Sequence, residues 1–219
     1  MKILALSGSP RGPQSRTLQL VQAVAKGAHD AGAEVELVDV CRLRIGYCIG
    51  CGVCYASGRC IHRDDFDGLY ARMFAADGLV LGSPNYFHTV SAQLKALLDR
   101  MADTVHCQLF TGKYACAVAT AGGAAAHEVT EYLSRVLVGL GANTVGAVGT
   151  SPSLPGAMET ATREADALGR TLVEAIRTKR VYPEQEAVHQ EMRHQFRQLV
   201  TMNKDVWKHE FQYWRNLRE

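Results

Sequence analysis

Four cysteines fall within thirteen residues, spaced Cys48-x2-Cys51-x2-Cys54-x5-Cys60. Short gaps let a tight loop aim successive sulfurs at one centre, and Gly46, Gly50, Gly52 and Gly58 permit the turns this needs. Three chemistries use such a run. A [4Fe–4S] cluster takes four thiolates around a compact cube. Structural zinc usually draws two cysteine pairs separated by a longer loop, so consecutive short steps suit it poorly. Free or redox-active thiols are the third. From Cys41 to Arg63 the chain carries Arg42, Arg44, Arg59 and Arg63 and no acidic residue. Positive charge beside four thiolates would stabilise a cluster of net charge about −2. The same arginines also read as a solvated face, or as a docking patch for an acidic protein carrier.

A second group of residues suits an anion. The segment 7–17 places the hydroxyls of Ser9, Ser15 and Thr17, with Arg11 and Arg16, where an apolar run gives way to a helical pattern. Hydroxyls and free N–H groups at a helix start can surround a phosphate without a metal ion. A P-loop is excluded because the loop has no lysine, and the Gly-x-G-x-x-Gly spacing of a dinucleotide fingerprint is also missing. Taken alone, the segment reads equally as an ordinary Ser/Pro-rich turn.

Short apolar strands alternate with amphipathic helices. Strands are expected at 3–6, 35–40, 78–81, 115–119 and 144–148. The first helix, near 15–31, is expected to bury Leu18, Val21, Ala25 and Ala28 and to stop at Gly32. Asp64 or Asp65 can cap a helix carrying Phe66, Leu69, Met73 and Phe74; Ser91 can cap one with Leu94, Leu97, Leu98 and Met101 inward. Further helices are expected at 128–140 and 158–178. Strands in βαβ order imply a doubly wound α/β domain, a parallel sheet covered on both faces, over residues 1–180 with a cysteine loop at 41–63. Three loops, at 7–17, 82–91 and 120–123, then follow parallel strands and converge on one edge.

Residues 181–219 differ. Both tryptophans lie there, and Met192, Phe196, Leu199, Val200, Trp207, Phe211 and Trp214 recur at three- and four-residue spacings. That pattern predicts one long amphipathic helical extension. It either packs along its own domain or forms an arm around a second subunit. His189, His194 and His209 do not repeat on one face, which argues against a metal site there.

The segment Leu6-Ser7-Gly8-Ser9-Pro10-Arg11, with Ser15 and Thr17 behind it, resembles the FMN-phosphate loop of the flavodoxin-like NAD(P)H-dependent FMN reductase superfamily. Gly82-Ser83-Pro84-x-Tyr86-Phe87, followed by Ser91-Ala92-Gln93-Leu94-Lys95, resembles that superfamily's flavin-ring loop. The resemblance covers about residues 1–150. It implies that Ser9, Arg11, Ser15 and Thr17 hold the phosphate and that Pro84, Asn85, Tyr86 and Phe87 line the ribityl chain and ring. Thr120, Ala121, Gly122 and Gly123 would face the pyrimidine end, though Ala124-Ala125-Ala126 stands where many relatives have more glycine. Within this frame the cysteine run resembles the iron–sulfur flavoproteins. That implies Cys48, Cys51, Cys54 and Cys60 as ligands of a [4Fe–4S] cluster, non-covalent FMN, and a homodimer or homotetramer that passes electrons. Cys41, Cys107 and Cys116 lie outside the pattern.

The resemblance implies an oxidoreductase taking electrons from ferredoxin or NAD(P)H and passing them to a small-molecule acceptor, with no catalytic side chain required beyond the flavin. Tyr86 and His88 are the side chains expected near the ring. Alternatives are an NAD(P)H-dependent FMN or quinone reductase without a cluster, or a non-enzymatic flavodoxin-like carrier. A net charge of +2 leaves no basic excess for nucleic acid. The longest uncharged stretch, 136–158, contains five glycines and two prolines and reads as loops and a strand. With no signal-peptide core at the N-terminus, a cytoplasmic protein without disulfides is expected.

Overall fold

The computed structural model describes residues 1–217. Five strands form one parallel sheet: β1 (Lys2–Ser7), β2 (Glu34–Asp39), β3 (Gly78–Pro84), β4 (Tyr114–Thr120) and β5 (Asn143–Thr150), in the order β2-β1-β3-β4-β5. Each expected strand is present and extends one to three residues further at one or both ends, save that β2 ends one residue early. The interior strands are buried along nearly their whole length because both faces are covered. Alternate residues divide between two cores: Leu4, Leu6, Leu79, Leu81, Ala115 and Ala117 on one face, Ile3, Ala5, Val80, Cys116 and Val118 on the other.

Helices α1 (Arg16–Asp30) and α7 (Ala157–Thr178) cover the second face. Residues Leu20, Val21, Val24 and Ala28 of α1 are buried, whereas Leu18 and Ala25 are only partly so. The inward stripe is therefore centred one position from the expected one, because α1 meets α7 as well as the sheet. Where the two helices cross, both backbones lack a side chain. A Cβ on Gly27 would lie 1.9 Å from the Asp166 carbonyl oxygen, and one on Gly169 would lie 2.1 Å from that of Val24.

The first face carries α3 (Asp65–Ala75), α4 (Ala92–Asp99) and α6 (Ala126–Gly139), and Phe66, Leu69, Met73, Leu94, Leu97 and Leu133 fill its core. Asp64 caps α3 and Ser91 caps α4, each accepting a backbone N–H from the first turn. Two short helices were not anticipated, α2 (Val53–Ser57) inside the cysteine segment and α5 (Ala102–Cys107) after α4.

The C-terminal extension is two helices rather than one long helix, α8 (Pro183–Met202) and α9 (Lys208–Asn216). Neither glycine nor proline marks the break. The Asn203 side chain donates to the Leu199 carbonyl at 2.8 Å and closes α8, while the apolar spacing runs on through the turn. Both helices lie against their own chain, α8 along α5 and α6, and α9 along α2 and α5. Gln185 of α8 accepts from the Thr144 N–H and donates to the Thr144 carbonyl, sealing part of edge strand β5. Among the described residues no helix is long and apolar enough to cross a membrane.

A glycine at the crossing and a glycine on an open helix face predict opposite effects for one kind of substitution. Gly169→Ala forces α1 and α7 apart and should cost about 2 kcal/mol, within the range for overpacking. That is a fall in Tm of roughly 4–8 °C for a chain of this size. Gly68→Ala, exposed within α3 with no atom within 4 Å of the added Cβ, should instead stabilise by roughly 0.5–1 kcal/mol. Thermal denaturation of both variants checks the pair.

Candidate functional site

Parallel strands put every loop that follows a strand on one edge of the sheet, and the order reverses between β1 and β3, where ligands of open α/β sheets sit. The loops after β1, β3, β4 and β5 border a cleft of about 280 Å³ there. Among the described residues its walls hold Arg11 and Arg16 and no acidic side chain. Ser9, Ser15 and Thr17 are almost completely buried against it. Ser15 caps α1 by accepting the Leu18 N–H at 3.0 Å, which leaves its own hydroxyl hydrogen to donate. No acidic residue in the first turn of α1 offsets the positive end of its dipole. The Thr17 and Thr120 hydroxyls lie 2.7 Å apart and tie the first loop to the loop after β4.

The loop after β3 is held just as firmly. Asn85 donates its backbone N–H to the Thr120 carbonyl and its amide to the Ala125 carbonyl, at 2.7 and 2.9 Å. Tyr86 and Thr89 pair across a two-residue turn in which Phe87 and His88 have φ of 51° and 64°. Positive φ is strained for side chains of this size. The Ser91 hydroxyl donates to the Gly8 carbonyl and so fastens the start of α4 to the first loop.

The cysteine segment follows β2. Its ends are clasped: Asp65 accepts the Arg44 N–H at 2.7 Å and Asp64 accepts the Gly46 N–H at 2.8 Å. Gly52 and Gly58, with φ of 69° and 70°, bracket α2. Cys48, Cys51, Cys54 and Cys60 all line a single small pocket, together with His62, Asp99 and Arg100. They surround it rather than meet at a point, and among the described residues no three His, Cys, Asp or Glu side chains are disposed to hold one metal ion. Cys48 Sγ already accepts the Gly50 N–H at 3.4 Å. Burial, and then the nearby Asp103 carboxylate, push the Cys54 thiol up to about 12, the reverse of what a reactive thiol needs. Arg100 closes the pocket with a side chain that has no exposed surface, yet its Nε and Nη2 have no hydrogen-bond partner among the described residues. Buried donors of this kind suit an anionic occupant.

Residues 1–153 match the family model for NADPH-dependent FMN reductase. An iron–sulfur flavoprotein of Archaeoglobus fulgidus is 33% identical over 218 residues, which is 98% of each chain. An iron–sulfur flavoprotein of Methanocaldococcus jannaschii is 43% identical over 100 residues, covering 46% of this chain and 51% of that protein. Among solved structures, a flavone reductase superposes with a TM-score of 0.66 at 19% identity, over 81% of this chain and 63% of its own. The chain belongs to the iron–sulfur flavoproteins, within the flavodoxin-like NADPH-dependent FMN reductases. It is a flavin-dependent oxidoreductase.

Within this flavoprotein the cleft gathers Ser9, Arg11, Ser15, Thr17, Pro84, Asn85, Tyr86, Thr120, Ala121 and Gly122. Two residues expected beside them are elsewhere. Phe87, at the tip of its turn, is 99% exposed, and Gly123 lies outside the lining. His88 also points away, its Nδ1 2.7 Å from Glu128. The sequence reading missed Pro152 and Ser153, which complete the cleft from the loop after β5. It also missed Arg100. Of the four arginines it singled out, Arg42 and Arg63 pair with Asp39 and Asp67 at 3.3 and 3.5 Å, just outside the acid-free window. The signal for Arg100 was a charge three residues after Leu97, on the buried stripe of α4. Cys116 is fully buried in β4, as a small hydrophobe would be.

The clasp on the cysteine segment titrates. Burial pushes the Asp64 carboxyl up, but the Arg100 guanidinium at 2.6 Å and the N–H groups of Gly46 and Phe66 outweigh it and hold Asp64 below the usual carboxylate range. Its stabilisation is therefore complete above about pH 4, the ordinary carboxylate value, and is lost as pH falls through the depressed native value. Asp64→Asn should cost about 2–3 kcal/mol at pH 7, below the cost for a fully buried pair because 18% of the Asp64 side chain is exposed. The difference between wild type and variant should shrink by pH 3. Urea unfolding at the two pH values checks it.

Proposed function

We propose that this chain is a cytoplasmic electron-transfer oxidoreductase carrying FMN in the cleft and a [4Fe–4S] cluster on Cys48, Cys51, Cys54 and Cys60. Electrons enter from ferredoxin or NAD(P)H and leave to a small-molecule acceptor. The observation that carries this reading is the pairing of two sites on one sheet edge. One is a phosphate-sized cluster of buried hydroxyls at a helix start, and the other a pocket lined by all four cysteines of the run. FMN exchanges one or two electrons and a cluster exchanges one, so the two together convert between these regimes.

Ser9, Ser15 and Thr17 would donate hydroxyls to the phosphate, with Arg11, Arg16 and the dipole of α1 supplying positive charge. The backbone of 84–86 and of 120–122 would hold the ring from two sides. With His88 turned to Glu128, the cleft lining among the described residues holds no histidine or carboxylate, and hydride transfer needs none. Exposed Ile49 and Ile61 line the cysteine pocket, and Tyr47 and the cations Arg44 and Arg59 are exposed on the same segment, which suits docking of an acidic carrier. A homodimer or homotetramer is part of the reading.

Anaerobic purification followed by iron, zinc and FMN quantification tests it. The expected result is one FMN and roughly four irons per chain, with a broad absorbance shoulder near about 400 nm. Flavin without iron would leave a plain reductase or carrier, and zinc in place of iron would make the loop structural. Thr17→Val removes a phosphate donor and the tie to Thr120. It should weaken FMN binding by roughly tenfold, about 1.4 kcal/mol, with iron content unchanged. Fluorescence titration of the apoprotein with FMN reads the change.

A further inference from the structure

Arg100 begins where α4 ends, and its guanidinium is used on one side only. Nη1 donates to Asp64 at 2.6 Å and to the Gly46 carbonyl at 3.3 Å. One planar face lies over the Phe66 ring, 4.3 Å from its centroid, and Phe66 is itself 2% exposed. The group is thus fixed in place from below and from one edge. Arg100 lines the pocket of the four cysteines, and its remaining donors, Nε and Nη2, have no hydrogen-bond partner among the described residues. Besides Asp64, the Cys60 side chain is the polar neighbour that acts on the guanidinium. A buried, charged donor left unpaired is costly, and Nε and Nη2 together carry three of the guanidinium's five N–H groups. Water does not reach them, since the side chain has no exposed surface. The Cys60 sulfur, as a thiolate, is the acceptor placed to satisfy them.

Asp64 does not cancel this charge at the cysteines. It is held by Nη1 alone, which leaves the Nε and Nη2 donors for Cys60. The other cations of the segment are weaker candidates. Arg42, Arg44, Arg59 and Arg63 are exposed, two of them already paired, and their fields are screened by water. Asp99, the acidic side chain that also lines the pocket, is paired with Lys95.

We propose that Arg100 is the fixed counter-charge of the iron–sulfur site, its Nε and Nη2 edge donating to the Cys60 thiolate and the cluster beside it and raising the cluster's reduction potential. This rests on the reading that the four cysteines hold a cluster. Adding an electron makes a cluster more negative, so a buried cation stabilises the reduced form more than the oxidised form. Arg100 is a positioning and tuning residue; it transfers nothing itself.

The test uses the full chain, purified or reconstituted anaerobically, with iron content and cluster midpoint potential by EPR-monitored redox titration as readouts. Arg100→Gln should shift the oxidised-to-reduced ratio at fixed potential at least tenfold toward oxidised, a fall of about 59 mV for one electron. Asp64→Asn loosens the same clasp but removes a negative charge, so it should move the potential the other way. Arg100→Lys, which keeps the charge and loses the fork, should fall in between, and it decides the matter if Arg100→Gln fails to retain iron. An unchanged potential in an iron-replete Arg100→Gln or Arg100→Lys chain overturns the proposal. So does a shift of the same sign in Arg100→Gln and Asp64→Asn, which would mark a purely structural clasp. A wild-type chain that holds no iron overturns the cluster reading instead, and this role with it.

Discussion

Parallel pairing dictates where chemistry can occur in this chain. Because all five strands run the same way, the loops after β1, β2, β3 and β4 all emerge at one edge, and each of them carries residues of one of the two sites. An antiparallel sheet with the same strands would scatter them to opposite ends. Helix α4 then links the sites directly. It begins at Ser91, bonded to the first loop through the Gly8 carbonyl, and ends at Arg100 in the cysteine pocket. Its eight residues span roughly 12 Å at the usual rise. The close fit at its start comes from Gly8, where a Cβ would lie 2.8 Å from the Leu94 Cβ.

The C-terminal helices complete the cysteine segment from outside. Glu210 of α9 is fully buried and accepts from His106 of α5 at 3.1 Å, while the Trp214 indole donates to the His106 carbonyl at 3.2 Å. The rings of His106, Tyr55 and Trp207 form a triangle, with centroids 4.7–5.1 Å apart. Tyr55 adjoins Cys54, so this aromatic stack backs the short helix that presents one of the four sulfurs. Gly58 shows how close the approach is: a Cβ there would meet the His209 ring at 2.5 Å. The aromatic stripe of the extension is directed inward, against the chain's own α2 and α5.

Sequence made the sheet legible because buried parallel strands are short apolar runs ended by glycine or proline, and β1, β3 and β4 are of this kind. Caps at Asp64 and Ser91 were legible for the same local reason, a short polar side chain before an apolar period. What escaped was set by tertiary contact. Helix α2 is five residues inside a glycine-rich loop and exists because α9 packs on it. The break between α8 and α9 has no Gly or Pro to announce it. Phe87 fits the family pattern, yet a tight turn throws it outward. Arg100 reads as the polar end of an amphipathic helix; its spacing from Leu97 is a weak hint, and its Phe66 and Asp64 contacts show it to be buried.

The most direct measurement is anomalous scattering at the iron edge from crystals grown anaerobically. The account predicts one compact four-iron peak bounded by the sulfurs of Cys48, Cys51, Cys54 and Cys60, with flavin density in the cleft bordered by Ser9, Thr17, Tyr86 and Thr120. A single-ion peak, iron held by other residues, or flavin density away from that cleft would contradict it.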